Sequence, residues 1–275
     1  MPTANEILQP EEHAPEEHVA PEQAPRPVIS FAWKWANYLY FLPMVGLATI
    51  FFGTISLACG LWDKDGSQQH LCARLWSRTL LRIAFAPVTL EHAERLHANE
   101  TAVYASNHLS YYDTPVLFAK IPFQFRILAK APLWKIPFIG WYLNRSGQVP
   151  IDQSSARAGV ASLGKGVKTL QAGLPLMIFP EGGRAATGEL QVMAAGAAWI
   201  AIKAQVPLVP LTLVGTYELL PIHVYALRPR PLKLIVGEPI STIGMTTKDA
   251  EKLTEQLHKV IYDTYIAEHE TRARG

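Results

Sequence analysis

No charged residue occurs between Lys34 and Asp63. Leu39, Phe41, Leu42, Val45, Ile50, Phe51 and Phe52 fall inside this run, and Trp33, Trp35, Tyr38, Tyr40 and Trp62 lie at its two ends. About 20 apolar residues are enough to cross a bilayer as a helix, and Trp and Tyr gather where hydrocarbon meets water. The run therefore predicts a membrane-anchoring helix, with a buried core helix as the alternative. Pro43 and Gly46 leave room for a broken helix that dips into one leaflet. Lys64, Arg74, Arg78 and Arg82 follow the run, whereas only Arg26 and Lys34 lie close before it. The positive-inside bias then puts the body of the chain on the cytoplasmic face.

Residues 1–30 have a different character. Six prolines and six glutamates leave too little apolar surface to offset ordering entropy, so a disordered acidic tail is expected. It has no basic stretch leading straight into an apolar one, so it is no standard signal peptide. Charged residues make up only 17% of the chain, low for a soluble protein. The net charge of +2 hides a basic body behind the acidic tail, which suits an anionic surface such as phospholipid. No basic and aromatic recognition motif points to nucleic acid. Cys59 and Cys72 are too few for a disulfide framework or a metal site.

Arg74, Arg78 and Arg82 recur every four residues and share one helical face. They suit an interfacial helix that sets cations against headgroups, or else the solvated face of a globular helix. From about Pro87 the pattern alternates. Strand-type runs at 88–90, 102–105, 127–129, 176–179, 208–213 and 232–236 are interleaved with helix-type stretches near 154–172 and 191–204. This is an α/β pattern: a central mixed, partly parallel sheet flanked by helices, behind an N-terminal membrane-anchoring helical segment. A last helix is expected from Thr246, with Ala250, Leu253, Leu257, Ile261 and Tyr265 as its apolar stripe. The expected division is a tail over 1–30, anchoring and interfacial helices over 31–86, and an α/β domain over 87–275.

Two constellations carry chemistry. The first is Ala105-Ser106-Asn107-His108-Leu109-Ser110-Tyr111-Tyr112-Asp113, just past a strand. Asp113 falls in the first turn of the next helix, from where its carboxylate can fold back toward His108. A hydroxyl nucleophile needs a positioned base, and a carboxylate fixes the imidazole tautomer and stabilises the imidazolium. A chance His–Asp spacing is the alternative. The second is Phe179-Pro180-Glu181-Gly182-Gly183-Arg184. Its glycines let backbone amides turn toward an anion, and Arg184 brings a planar donor fork suited to phosphate. Glu181 can bond an acceptor hydroxyl or hold the loop. A plain strand-to-helix turn is the alternative.

Taken together the motifs resemble the lysophosphatidic acid acyltransferase family, within the wider glycerolipid acyltransferases. The family's Asn-His-x-x-x-x-Asp is met by Asn107, His108 and Asp113, and its Phe-Pro-Glu-Gly-Thr-Arg-Ser by Phe179 to Gly182 and Arg184. Lys130-Ala131-Pro132-Leu133, Pro137, Gly140 and Ile151-Asp152 resemble a further motif, and Val206 to Pro210 another. Order and spacing agree over roughly residues 70–240. The chain departs from the family at Gly183 and Ala185, where Thr and Ser are usual, and at Pro132, where Glu is usual. Gln153 and Ala194 stand where Arg and Lys are common, and Arg157 lies one turn beyond Gln153.

The resemblance implies direct transfer of a fatty acyl group from acyl-CoA or acyl-carrier protein to the free hydroxyl of a lysophospholipid, lysophosphatidic acid foremost, with no cofactor and no metal. His108 and Asp113 are the implied catalytic pair. Asn107, Lys130, Glu181, Gly182, Gly183 and Arg184 are the implied substrate-binding residues. The implied partners are the phospholipid bilayer, the lysophospholipid and the thioester donor. A less charged acceptor, such as a lyso-amino-acid lipid, is the second reading. A hydrolase ranks lower because no Gly-x-Ser-x-Gly elbow is present; a non-catalytic membrane scaffold also ranks lower.

Overall fold

The computed structural model describes residues 31–96, 101–136, 138–185, 187–222, 224 and 226–274. The tail over 1–30 and Pro137 lie outside the described residues.

The charge-free run is helical as far as Cys59. α1 (Phe31–Ala36) passes through a π-helical segment (Asn37–Phe41) into α2 (Leu42–Cys59). The stretch Trp33–Cys59 is long and apolar enough to cross a membrane, with mean hydropathy 1.9, and only 11% of its most apolar window is buried. That exposure rules out the core-helix alternative. Both ends are nevertheless bonded to the α/β body. At the start, Trp33 Nε1 donates to Leu227 O (3.0 Å) and Leu227 N donates to Asn37 Oδ1 (2.7 Å). Just past the end, Arg145 Nη1 donates to Gly60 O (2.7 Å).

After a turn capped by Asp63, whose carboxylate accepts from Gly66 N and Gln69 N, α3 (Ser67–Ile83) folds back along α2. It buries Cys72, Ala73, Leu80, Leu81 and Ile83. Two of the three arginines expected to face headgroups are bonded within the chain. Arg74 Nη1 donates to Pro122 O (3.1 Å) and Arg78 Nε to Ala119 O (3.4 Å), at the C-terminal end of α4 (Asp113–Lys120). Cations there complement the exposed helix carbonyls. Of the three, only Arg82 has no such partner among the described residues.

The sheet has seven strands: β1 (Val88–Glu91), β2 (Val103–Ser106), β3 (Arg126–Lys130), β4 (Val149–Ile151), β5 (Leu176–Ile178), β6 (Leu208–Val214) and β7 (Leu232–Val236). Their spatial order is β1-β7-β6-β2-β5-β3-β4, and every neighbouring pair is parallel except β6 with β7. Six of these strands match the expected runs; the edge strand β4 is an addition. Alternation along a strand divides the core. Tyr104 and Met177 point to the face covered by α3 and α4, while Val103, Ala105, Leu176 and Ile178 point to the other. That other face is covered by α6 (Ala156–Gln171), α7 (Gly196–Ala204) and α9 (Ala250–Arg274). The stripe Ala250, Leu253, Leu257, Ile261 and Tyr265 is buried, and Thr246 and Asp249 form a reciprocal capping box at the start of that helical segment.

β2, β5, β3 and β4 are mutually parallel neighbours, so their C-terminal ends emerge along one edge. That edge is where open α/β sheets bind ligands. His108 follows β2, Phe179 to Arg184 follow β5, Lys130 ends β3, and Gln153 follows β4.

Candidate active site

His108 sits in the tight turn between β2 and α4. Its Nδ1 is 2.8 Å from Asp113 Oδ2, and the same oxygen accepts from Leu109 N (2.6 Å) and Ser110 N (2.7 Å). Asp113 is fully buried as the first residue of α4. Three donors on one carboxylate oxygen hold the turn and the ring together. A carboxylate at Nδ1 makes that nitrogen the donor and leaves Nε2 as the acceptor. On its flank the imidazole stacks on Phe179, ring centroids 3.9 Å apart and planes 17° from parallel.

Glu181 joins the two loops. Its Oε1 accepts from His108 N (2.8 Å) and its Oε2 from Gln191 N (3.0 Å), while Ala185 N donates to His108 O (3.1 Å). Burial pushes the Glu181 carboxyl up to about 7, with the Asp113 charge adding to the rise and the two N–H donors opposing it. The expected helix over 191–204 therefore begins late, at Gly196. Residues 191–194 are instead irregular chain, fastened to the site by Glu181 and by Ala194 N on Pro180 O (2.9 Å).

A cavity of about 310 Å³ opens at this edge. His108, Lys130, Gly182, Gly183 and Arg184 all line it, so five of the eight expected site residues converge. Its inner wall is apolar, with Ile127, Leu128, Leu163, Ile178 and Ala197 among its lining. The Arg184 guanidinium lies 4.3 Å above the Tyr111 ring, an attraction of cation to π face, and its Nε is buried without a hydrogen-bond partner. Gly182 N is taken by Phe179 O (3.1 Å), while the amides of Gly183 and Arg184 have no partner among the described residues.

One expectation needs correcting. Asn107 is fully buried, and its carboxamide is consumed by the backbone: Nδ2 donates to Leu213 O (2.9 Å) and Oδ1 accepts from Leu213 N (2.8 Å). It extends the β2–β6 ladder one step and, without exposed surface, does not line the cavity. Glu181 bonds backbone through both oxygens, which is the loop-holding one of its two expected roles, and it does not line the cavity. Gln153 and Ala194 line the cavity themselves, whereas Arg157 is exposed and does not. Tyr111 and Phe179 were not singled out as site residues. Tyr111 lies inside the His–Asp spacing and Phe179 opens the second motif, so position was the available signal.

Comparison with known proteins agrees with this architecture. The Acyltransferase family model matches residues 87–214. The chloroplastic 1-acyl-sn-glycerol-3-phosphate acyltransferase LPAT1 of Arabidopsis thaliana is 34% identical over 55% of this chain and 42% of its own length. The 1-acyl-sn-glycerol-3-phosphate acyltransferase of Saccharomyces cerevisiae is 27% identical over 85% of this chain and 78% of its own. The chain thus spans less than half the length of the plant relative. The crystal structure of the 1-acyl-sn-glycerophosphate (LPA) acyltransferase PlsC from Thermotoga maritima matches with TM-score 0.71 and 25% identity, over 84% of this chain and 95% of that one. The chain thus matches the Acyltransferase family over residues 87–214 and is similar to 1-acyl-sn-glycerol-3-phosphate acyltransferases in sequence and in fold.

Proposed function

We propose that the protein is an O-acyltransferase that moves a fatty acyl group from an acyl-CoA or acyl-carrier-protein thioester to the free hydroxyl of lysophosphatidic acid, giving phosphatidic acid. The observation that carries this reading is a His–Asp pair facing a cavity whose rim is cationic and whose wall is apolar. His108 Nε2 takes the proton of the acceptor hydroxyl as that oxygen attacks the thioester carbonyl. Asp113 holds the tautomer and stabilises the imidazolium. The amides of Gly183 and Arg184 are the donors left for the tetrahedral oxyanion. Collapse breaks the carbon–sulfur bond, and the leaving thiolate recovers the proton from His108. Arg184 and Lys130 bind the acceptor phosphate, and the acyl chain lies along the apolar wall.

The protein works at a bilayer, with its body on the cytoplasmic side. A helix of 27 residues is about 40 Å long. If it stood across a hydrocarbon core of roughly 30 Å, one end would be carried away from the body. Bonds at Leu227 and Arg145 keep both ends on that body, which supports a helix lying in one leaflet.

The test is a purified-protein assay against a panel of lysolipids with both classes of thioester. His108→Ala should lower turnover about 10²–10⁴-fold while leaving fold and vesicle binding intact. Substantial turnover by a folded His108→Ala protein would sink the mechanism. The second reading, a less charged acceptor, is favoured by one observation: among the described residues, Lys130 and Arg184 are the only Lys or Arg residues lining the cavity, beside uncharged Gln153 and Ala194. If it holds, the wild type prefers such an acceptor, and Gln153→Arg with Ala194→Lys shifts preference toward lysophosphatidic acid.

A further inference from the structure

From Thr114 to Ile151 the chain carries Lys120, Arg126, Lys130, Lys135 and Arg145 and not one acidic residue. Arg126 is buried, but Lys130, Lys135 and Arg145 are exposed. In the middle of this stretch lie a 3-10 turn (Ala131–Lys135) and α5 (Ile139–Arg145). Together they expose Leu133, Ile136, Phe138, Ile139 and Trp141, with Phe138 and Trp141 at 66% and 56%. Large apolar side chains clustered this densely on a surface mark a contact that water does not satisfy.

The segment is built, not slack. Phe138 has φ +63°, a conformation that costs a bulky residue energy unless its surroundings enforce it. A Cβ added at Gly140 would lie 2.1 Å from Trp134 O, so the two turns of chain are pressed together and the aromatic rings are directed outward. Position gives the contact its meaning. α5 packs beside α2, and Arg145 is bonded to Gly60 at the end of that helix. Leu133 and Lys130, at the near edge of the segment, line the cavity that holds His108.

We propose that Ala131–Arg145 is a second bilayer-contacting element, separate from the N-terminal helix, and that it forms the doorway by which a lysolipid leaves an anionic leaflet for the cavity. Phe138, Ile139 and Trp141 enter the acyl region, while Lys135 meets phosphate headgroups. A cationic rim around an apolar, aromatic face complements anionic phospholipid on both counts. The doorway rests on the lysolipid reading above; the bilayer contact does not.

The test uses the full chain. Amide exchange is followed with vesicles of phosphatidylcholine alone and with vesicles of phosphatidylcholine and phosphatidylglycerol in equal parts. Residues 138–145 should gain protection on the anionic vesicles, and Lys135→Glu should reduce that gain. Absence of protection in protein that is vesicle-bound through its N-terminal helix overturns the contact. The doorway is tested with Phe138→Asp combined with Trp141→Asp, neither of which lines the cavity. The pair should raise KM for long-chain lysophosphatidic acid embedded in vesicles at least about tenfold, given the apolar area lost. The kcat/KM for a short-chain, freely dissolved lysophosphatidic acid should be unchanged. Equal loss on both acceptors, or on neither, overturns the doorway. If the wild type acylates no lysolipid at all, the functional reading fails and the exchange experiment still decides the contact.

Discussion

Phe179 and His108 lie face to face, ring centroids 3.9 Å apart, although 71 positions separate them in the chain by their numbers, 108 and 179. The stack sets the plane of the imidazole while Asp113 sets its rotation about that plane. Phe179→Leu keeps an apolar neighbour but removes the flat one. It should lower kcat roughly tenfold or more, because small misplacements of a reacting group are costly. KM and thermal stability should change little, and kinetics beside a melting curve check both.

Asp113 separates two jobs according to what replaces it. Asn retains an oxygen for Leu109 N, Ser110 N and His108 Nδ1, so Asp113→Asn should fold but turn over more slowly, though less severely impaired than His108→Ala. Asp113→Ala leaves those two buried amides without an acceptor. Each orphaned buried donor costs about 1–3 kcal/mol, so this variant should melt early. Denaturant midpoints for the two variants distinguish these outcomes.

Asn107→Ala should behave as a stability variant. It strips both the N–H and the C=O of Leu213 of their partners, at about 1–3 kcal/mol for each group left unpaired. The acceptor KM of the protein that remains folded should be close to wild type. A large, selective rise in KM without loss of stability would return Asn107 to the substrate.

Glu181 gives a pH signature. Its carboxyl is raised from 4.5 to about 7, chiefly by burial. Between those values the folded protein keeps a proton that the unfolded chain has released. Its contribution to stability is therefore fully present below 4.5 and is lost as the pH climbs through about 7. Glu181→Gln has no proton to lose, so its stability should be flatter over that interval. Denaturation midpoints measured across it for both proteins give the comparison; equal slopes would contradict the assignment.

The His–Asp pair and the glycine loop were legible because their logic is local: a strand, a turn, and a side chain folding back within five residues. The strands β1, β2, β3, β5, β6 and β7 announced themselves as apolar runs. β4 did not, because it is only three residues long and has Pro150 in its middle. The long-range partners of Asn107 and Glu181 were not legible, for a different reason. Each occupies a motif position expected to touch substrate, yet each bonds backbone that is distant in sequence, Leu213 for one and His108 for the other. Local pattern identifies the donor or acceptor and not the group it will meet. Arg74 and Arg78 follow the same rule: a four-residue spacing establishes a shared helix face, and the carbonyls of Ala119 and Pro122 are visible only once α4 is packed.

The bonds between Trp33 and Leu227, Asn37 and Leu227, and Arg145 and Gly60 tie both ends of the apolar helix to the body that carries the cavity. A helix that crosses a bilayer must tilt, kink or deform the lipid whenever hydrocarbon thickness changes. A helix fastened at both ends along one face of its own domain has no such adjustment to make. On the one-leaflet reading proposed above, the height of His108 above the lipid is a dimension of the protein, and acyl transfer should proceed alike in thin and thick membranes.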